Sequence, residues 1–456
     1  MFPIGPLVSA VMSRLLLRIG LWVPLVAAAV AVLPQLARAQ ATAPGKSSVP
    51  KSSETKPEPQ EETEEDRATQ QAVKAAFGKS IAELEQEYEG KLAEAPEAVR
   101  MLIDIAHGSQ MGPGDGWYGP AKSKYSFEWL LAAHGKEPGT RLAADDFRGL
   151  PHWLARIDRN QDGEMTPEDL DWSDKSPWVQ QANLINRFFR RMDPDNDGFV
   201  MEGEWNSVFR KIAQGEESIS ADDLTDGLLA GTGGAASSAP SDGPSQNVLL
   251  RGLVAGEIGS LKEGPRVGEP APDFHLKTHD GKGSVHLADL LGKQPIVLVF
   301  GNFTCPPFRT RYSGIEAIYR RFAREATFLS IYVREAHPED GWKMAYNTRQ
   351  GIEVIQPKTY GERVSVANQC HGLLKYSMPL LVDEIDDRVG NAYSGMPARM
   401  YVIDPQGQVV YQSGRGPFGF RPREMEQALV MCLLEQHLAQ QGAPAEKPSP
   451  AEQKKP

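Results

Sequence analysis

The hydrophobic positions of this chain follow recognisable periods in some regions and are almost absent in others. Pro295-Ile296-Val297-Leu298-Val299-Phe300-Gly301 is continuously apolar over the length of a strand, as expected for a strand buried on both faces. Phe308, Tyr312, Ile315, Ile318, Tyr319 and Phe322 then recur at helical spacing, and Thr327 to Val333 forms a second apolar strand. This pattern predicts a βαβ unit. Its right-handed crossover makes the two strands parallel, so the residues just past each strand emerge on the same sheet edge. Met378 to Asp383 reads as a further strand, and Met400 to Ile403 and Val409 to Tyr411 as a hairpin around the turn Asp404-Pro405-Gln406-Gly407.

Earlier in the chain the period is helical. Ser80-Ile81-Ala82-Glu83 is a capping box that opens a helix within a segment running to about Ile105. Ile185, Phe188, Phe189 and Met192 form one helical stripe, and Trp205, Val208, Phe209 and Ile212 another. Between these regions lie stretches that cannot offset the entropy of ordering: a Pro, Ser, Glu, Lys and Thr tether, the small polar run Gly231 to about Gln246, and a Pro, Lys and Glu tail after Gln440. The N-terminus has Arg14 and Arg18, an apolar run from Ile19 to Leu33 interrupted by Pro24, and Ala37-Arg38-Ala39, the order of a secretory signal cleaved before Gln40. Met12 is an alternative start.

The expected organisation is a signal peptide at 1–39, a disordered tether at 40–67, a helical segment at 68–111, a calcium-binding domain at 112–228, a linker at 229–249, an α/β domain at 250–440 and a disordered tail at 441–456. The mature protein is then expected to work in the periplasm or outside the cell, with no stable membrane span after processing. The fold class is multidomain, an all-α EF-hand module followed by an α/β domain.

The EF-hand reading rests on a repeated loop. Asp158 to Asp169 carries oxygen-bearing side chains at positions 1, 3, 5, 9 and 12 and glycine at position 6, and the order recurs from Asp193 to Glu204. Calcium takes six to eight hard oxygen ligands on a flexible loop, and position 6 needs glycine for the sharp turn. The expected ligands are Asp158, Asn160, Asp162, Glu164 and Asp169 in the first loop and Asp193, Asp195, Asp197, Phe199 and Glu204 in the second. Asp169 is one methylene shorter than Glu204, so the second site is expected to bind calcium more strongly and the first to accept magnesium. Water is expected to replace a side chain at Met201. Met165 and Val200, at position 8, are expected to pair the two loops. The stretches ending at Phe147 and Leu224 look like remnants of further hands.

Composition narrows the chemistry. The chain has 456 residues, 49 Lys+Arg against 60 Asp+Glu, and a formal charge of -11, a balance that opposes nucleic-acid binding. Three cysteines with no Cys-x-x-Cys pair exclude a disulfide framework and a zinc cluster. Cys305 follows the first apolar strand and precedes Pro306 at a helix start. There, free N–H groups and the helix dipole favour a thiolate and lower its pKa. Cys305 is therefore the expected nucleophile, with Arg334-Glu335-Ala336-His337 as its neighbour across the sheet edge. Cys370 stands in a polar stretch and is expected to be exposed, as a candidate resolving thiol; Cys432 falls on a core-facing helix stripe.

Phe300-Gly301-Asn302-Phe303-Thr304-Cys305-Pro306-Pro307-Phe308 resembles the active-site strand and turn of the iodothyronine deiodinases, whose selenocysteine stands at the position of Cys305. Glu335 to Trp342, Asn391-Ala392-Tyr393, Arg399 to Ile403 and Gly414-Arg415-Gly416-Pro417 are similar to the same family in order. The resemblance spans about 295 to 437, and Gly268 to Phe274 is shared more widely with peroxiredoxin-like proteins. It implies a thioredoxin-like fold with a cis proline, for which Pro397 is the candidate. It also implies Cys305 as the nucleophile that takes iodine from an aromatic ring, with an external thiol, or a thiol reductant protein, regenerating it. His337 and Arg399 would bind the phenol or carboxylate of a small-molecule substrate beside Thr304 and Pro397, and Glu335 would belong to the proton path. Phe303 stands where many members carry a further cysteine. The expected function is an exported calcium-binding thiol oxidoreductase. The alternatives are a calcium-dependent scaffold with a spent thioredoxin-like unit, or a peroxiredoxin-like peroxidase.

Overall fold

A computed structural model describes residues 63–108, 120–173, 175–194, 198–229, 244–416 and 419–442. The signal segment, the tether up to residue 62, the linker positions 230–243, the tail beyond 442 and the loop residues Asp195 and Asp197 lie outside the described residues. Among the described residues no helix is long and apolar enough to cross a membrane.

The described residues divide into two units, 208–229 in one and 63–207 with 244–442 in the other. In chain order the helices are α1 (Glu64–Phe77), α2 (Ile81–Glu87), α3 (Glu97–Ala106), α4 (Phe127–Ala133), α5 (Pro151–Ile157), α6 (Pro167–Leu170), α7 (Pro177–Met192), α8 (Glu202–Ala213), α9 (Ala221–Leu229), α10 (Gln246–Val254), α11 (Pro306–Phe322), α12 (Ala345–Arg349), α13 (Tyr360–Leu374), α14 (Arg388–Ala392) and α15 (Pro422–Gln440). The strands are β1 (Lys122–Ser123), β2 (Leu142–Ala143), β3 (Glu164–Met165), β4 (His275–Thr278), β5 (Ser284–His286), β6 (Ile296–Gly301), β7 (Thr327–Tyr332), β8 (Leu380–Val382), β9 (Arg399–Ile403) and β10 (Val409–Gln412).

The larger unit is organised on a sheet of order β1-β10-β9-β6-β7-β8-β4-β5. The continuous apolar run at 295–301 becomes β6, central and buried at every position. It pairs in parallel with β7 and antiparallel with β9, so that Gly301 stands beside Tyr332 and Phe300 beside Arg399. Phe308, Tyr312, Ile315, Ile318 and Phe322 of α11 are all buried against it. Each such side chain contributes about 1.5–3 kcal/mol through removal from water. The expected βαβ unit and the hairpin β9–β10 are both present, and the Met396–Pro397 bond is cis.

The expected boundaries between modules do not coincide with the boundaries of the core. Leu130, Trp153, Ile157 and Met165, from the region read as a separate calcium domain, belong to the same buried cluster as β6 and α15. The Gln427 amide of α15 explains how: its nitrogen donates to the carbonyls of Arg156 and Asp169, and its oxygen accepts from the Trp172 indole. Strand β1 also pairs with β10, extending the sheet with residues from before the loop at 158–169.

The pairing of the loops differs from expectation as well. Met165 pairs through β3 with Leu142 of β2, next to the remnant hand that ends at Phe147, and not with Val200. The segment at 142–143 thus supplies the partner strand for the loop at 158–169. Ile185 and Trp205, each on one of the apolar helical stripes flanking the second loop, are 62% and 42% exposed.

Gly301 ends β6 where a Cβ would lie 2.2 Å from the buried Phe308 ring. Gly301→Ala is expected to lower stability by about 1–3 kcal/mol through overpacking. Denaturant unfolding of the full chain measures it, and a change within about 0.5 kcal/mol would remove this account of the strand end.

Candidate active site

Cys305 is the N-cap of α11, and Pro306 takes the first helical position, where the missing N–H costs nothing. The residues on either side of the crossover meet as expected. The Thr304 backbone N–H donates to Glu335 Oε2 at 2.9 Å, its hydroxyl reaches the same oxygen at 2.8 Å, and Tyr332 OH donates to Glu335 Oε1. The backbone N–H of His337 donates to Thr304 Oγ1 at 3.0 Å, so the two strand ends are joined in both directions. Asn302 extends the join to the third strand: Nδ2 donates to the Pro397 carbonyl at 3.0 Å, and Oδ1 accepts from Ala336 N at 3.2 Å. Cys305, Thr304, Glu335, His337 and Pro397 are thus parts of one arrangement around the end of β6.

The sequence reading missed a second set of residues. Arg309, one helical turn after Cys305, is buried; it donates to the Phe303 carbonyl at 2.5 Å and to Asn347 Oδ1 at 2.9 Å. Asn347 Nδ2 in turn donates to the Thr304 carbonyl at 2.8 Å. Arg309 and Asn347 therefore hold both carbonyls that precede Cys305. The available signal was the i,i+4 placement of an arginine after a helix-capping cysteine; Asn347 carried none.

The electrostatics overturn one expectation. Cys305 is 2% exposed, and burial pushes its thiol up to about 11, outweighing the Phe308 N–H, Arg309 and Arg311, which favour the thiolate; Glu335 adds to the rise. The helix start does favour the charged form, but desolvation wins. Burial likewise raises Glu335 above the ordinary carboxylate range, against the pull of Tyr332 and Thr304. The His337 ring is pushed down to about 4 by burial and by Arg309, although the Trp342 carbonyl at 3.1 Å from Nδ1 favours its charge. The imidazole is therefore neutral at physiological pH, with Nε2 as its acceptor.

Two further expectations are corrected. Cys370 is buried on the core side of α13 and its thiol is raised by burial; the polar residues around it occupy the other helix faces, so it is not the exposed thiol expected. Arg399 does not face an open site. Its guanidinium is 3% exposed and held by Glu97 at 3.1 Å and by the carbonyls of Ser413 and Glu263. Cys432 is buried, as read. A cavity of about 130 Å³ beside the site is lined by Arg334, Glu335, Ala336, Trp342 and Gln356.

In the loop at 158–169 Gly163 adopts φ +83°, as the sharp turn requires, and its N–H donates to Asp158 Oδ2 at 3.0 Å. Asn160 and Asp162 are linked by side-chain and backbone hydrogen bonds, and Glu164 N donates to Asp162 Oδ1. Asp169 accepts from the N–H groups of Arg159 and Thr166, and it is buried. Asp158 is 6% exposed, yet its Oδ1 has no hydrogen-bond partner. An orphaned buried carboxylate oxygen at position 1 fits a cation, although among the described residues no three acidic, His or Cys groups gather ready to hold an ion. In the second loop Gly198 N donates to Asp193 Oδ2 and Met201 N to Glu204 Oε2.

A cysteine at the start of the helix after a central parallel strand, tied through Asn302 to a cis proline that introduces an antiparallel hairpin, defines a thioredoxin-like thiol site. The iodothyronine deiodinase family model matches residues 249–432. Thyroxine 5-deiodinase of Homo sapiens is 36% identical over 162 residues, covering 35% of this chain and 51% of that protein. The enzyme of Gallus gallus is 31% identical over 180 residues, covering 39% of this chain and 67% of that protein. The chain belongs to the iodothyronine deiodinase family, and it spans about half the length of the first curated relatives it matches. A solved structure described as a putative thiol:disulfide interchange protein DsbE from Chlorobium tepidum is 18% identical, covers 37% of this chain and 99% of that chain, and has a TM-score of 0.27.

Because burial pushes the Cys305 thiol up to about 11, its alkylation in the native chain should still be climbing steeply at about pH 10, whereas an unperturbed thiol is half-maximal near 8.5 and level by about pH 10. Asn347→Ala, which releases the Thr304 carbonyl and one Arg309 partner, should cost about 1–3 kcal/mol and speed alkylation at neutral pH. Mass-spectrometric labelling rates across pH check both; a wild-type plateau near pH 8 would contradict the burial argument.

Proposed function

We propose that the 249–432 region is a thiol-dependent reductive dehalogenase with Cys305 as its nucleophile. The observation that carries this reading is the position of Cys305 at the N-cap of α11, within hydrogen-bonding networks that include Glu335, in a chain of the deiodinase family. The thiolate form of Cys305, a small fraction at neutral pH because burial raises the thiol, attacks the iodine of an iodinated phenol. The S–I bond forms, the C–I bond breaks, and the ring carbon keeps the electron pair and takes a proton. The substrate is reduced by two electrons and the sulfur is oxidised. A small thiol then attacks that sulfur, iodide leaves, and a second thiol frees Cys305 as the two reductants leave as a disulfide.

Glu335, raised by burial, is the proton source, and the Thr304 hydroxyl that bridges Glu335 and the His337 N–H is its first relay. The neutral His337 accepts the substrate phenol at Nε2. Cys305→Ser should abolish thiol-dependent iodide release from iodinated phenols, while Glu335→Gln should lower it by about 10²–10⁴-fold. Iodide assay with a dithiol reductant checks this, and equal rates for wild type and Cys305→Ser would remove the enzyme reading. Near-complete burial of Cys305 favours one second reading, a binding protein whose thiol is spent. That reading requires Cys305→Ser to match wild type on iodinated phenols, peroxide and a small disulfide alike.

The loops 158–169 and 193–204 are proposed as calcium sites, and residues 1–39 as an export signal. Asp158, Asn160, Asp162, Glu164 and Asp169 would hold the ion in the first loop, and Asp193, Asp195, Asp197, Phe199 and Glu204 in the second. Bound calcium would supply the positive charge that the buried Asp158 Oδ1 lacks. Calorimetric titration should give two binding events, the weaker lost in Asp158→Asn and the stronger in Asp193→Ala. No calcium heat in the full chain would sink this part of the proposal.

A further inference from the structure

The helices α1, α2, α3 and α10 bury their own apolar set, including Val73, Leu84, Leu102, Leu250 and Leu253, apart from the main core. One charged side chain reaches from this layer into the sheet. Glu97, the first residue of α3, is 4% exposed, and its carboxylate meets two guanidinium groups. Arg399 Nη2 lies 3.2 and 3.1 Å from its two oxygens, and Arg415 Nε and Nη2 each approach at 3.4 Å. Arg399 opens β9 and Arg415 lies just beyond β10, so the contact spans 302 and 318 residues of chain. Both arginines are almost fully buried.

The remaining polar groups around them are carbonyls and hydroxyls. Arg399 also donates to the carbonyls of Ser413, Glu263 and Ser394, and Arg415 to those of Ser260 and Lys262 and to Ser394 Oγ. Arg415 Nη1 has no hydrogen-bond partner. A second nearby carboxylate, Glu263, accepts from the Glu97 N–H at 2.8 Å and pairs outward with Arg266. At Gly259 a Cβ would stand 1.8 Å from Arg415 Nη1, so the layer's loop closes directly over the guanidinium. Two desolvated cations at one place require an anion, and forked guanidinium donors match the planar geometry of a carboxylate.

We propose that Arg399 and Arg415 form a carboxylate-binding pocket in the sheet, and that Glu97 fills it as an intramolecular ligand that latches the helical layer onto the core. The ligand class is a small planar carboxylate. In the latched chain an outside carboxylate reaches Arg399 only by displacing Glu97, so a substrate acid cannot use that arginine while the latch is closed.

The test is chemical rescue and does not depend on any activity of Cys305. The full chain carrying Glu97→Ala should unfold at a lower temperature than wild type. Formate or acetate should raise its midpoint saturably above that in chloride of equal ionic strength, while wild type shows no such difference. Glu97→Gln, whose amide still occupies the space, should be destabilised and not rescued. Equal responses of Glu97→Ala and wild type to formate and chloride would overturn the proposal. If Glu97→Ala does not fold unaided, refolding yield is the readout. Formate must restore folded Glu97→Ala and leave Glu97→Gln unchanged, and equal yields in formate and chloride would again overturn it.

Discussion

Much of the candidate site depends on satisfying one carboxylate that has almost no water. Glu335 is 1% exposed, and a carboxyl group at that depth must find donors within the protein or destabilise the fold. The donors it takes are the Thr304 N–H, the Thr304 hydroxyl and the Tyr332 hydroxyl. Two come from the end of β6 and one from the end of β7, so the need of one side chain fixes the relative position of the two parallel strand ends. Cys305 is placed by the same bond, because Thr304 precedes it and the helix begins there. Tyr332 then uses its oxygen to accept from the Phe303 N–H, and the turn that carries the thiol is held from below as well as from the side.

The parts of this arrangement visible in the sequence were those with a period or a fixed chain position. Six consecutive buried residues of β6 follow from a continuous apolar run, and the α11 stripe from helical spacing. The position of Cys305 follows from its place between the two, and the cis bond before Pro397 from the deiodinase resemblance together with the strand that follows. The parts that stayed hidden depend on distance in the chain. Asn347 supports Thr304 from a short helix 43 residues away, and Glu97 neutralises Arg399 from 302 residues away; neither pairing leaves a pattern in local spacing. The Cys305 thiol was misread for a different reason. Helix-start geometry is local and visible, whereas the desolvation that outweighs it comes from the whole core.

The two acidic loops divide along the same line. The acidic order and the glycine at 163 are local, and that glycine does take the left-handed conformation the turn needs. The pairing was not legible, because the partner residues at 142–143 lie in a segment that carries no such acidic order. Ligands can be lost without loss of a strand, since a β-bridge needs backbone and an apolar side chain but no carboxylate. Gly198 of the second loop lies close to α11, where a Cβ would be 2.5 Å from Ser313 Oγ. The same glycine that permits the loop to turn therefore also permits the helix begun by Cys305 to pass beside it.

The two-residue strand β1 has a larger role than its length suggests. Lys122 and Ser123 lie along β10, whose outer backbone groups would otherwise form the open side of a seven-stranded sheet. A short border strand carrying a lysine is poor at recruiting another chain, and it covers a longer, fully buried strand that would recruit one well. The region that matches the deiodinase family begins more than a hundred residues after β1. In this protein, ancestry and solubility therefore have different boundaries. A fragment cut where the family begins would keep Cys305 and its network but expose a ready template for self-association.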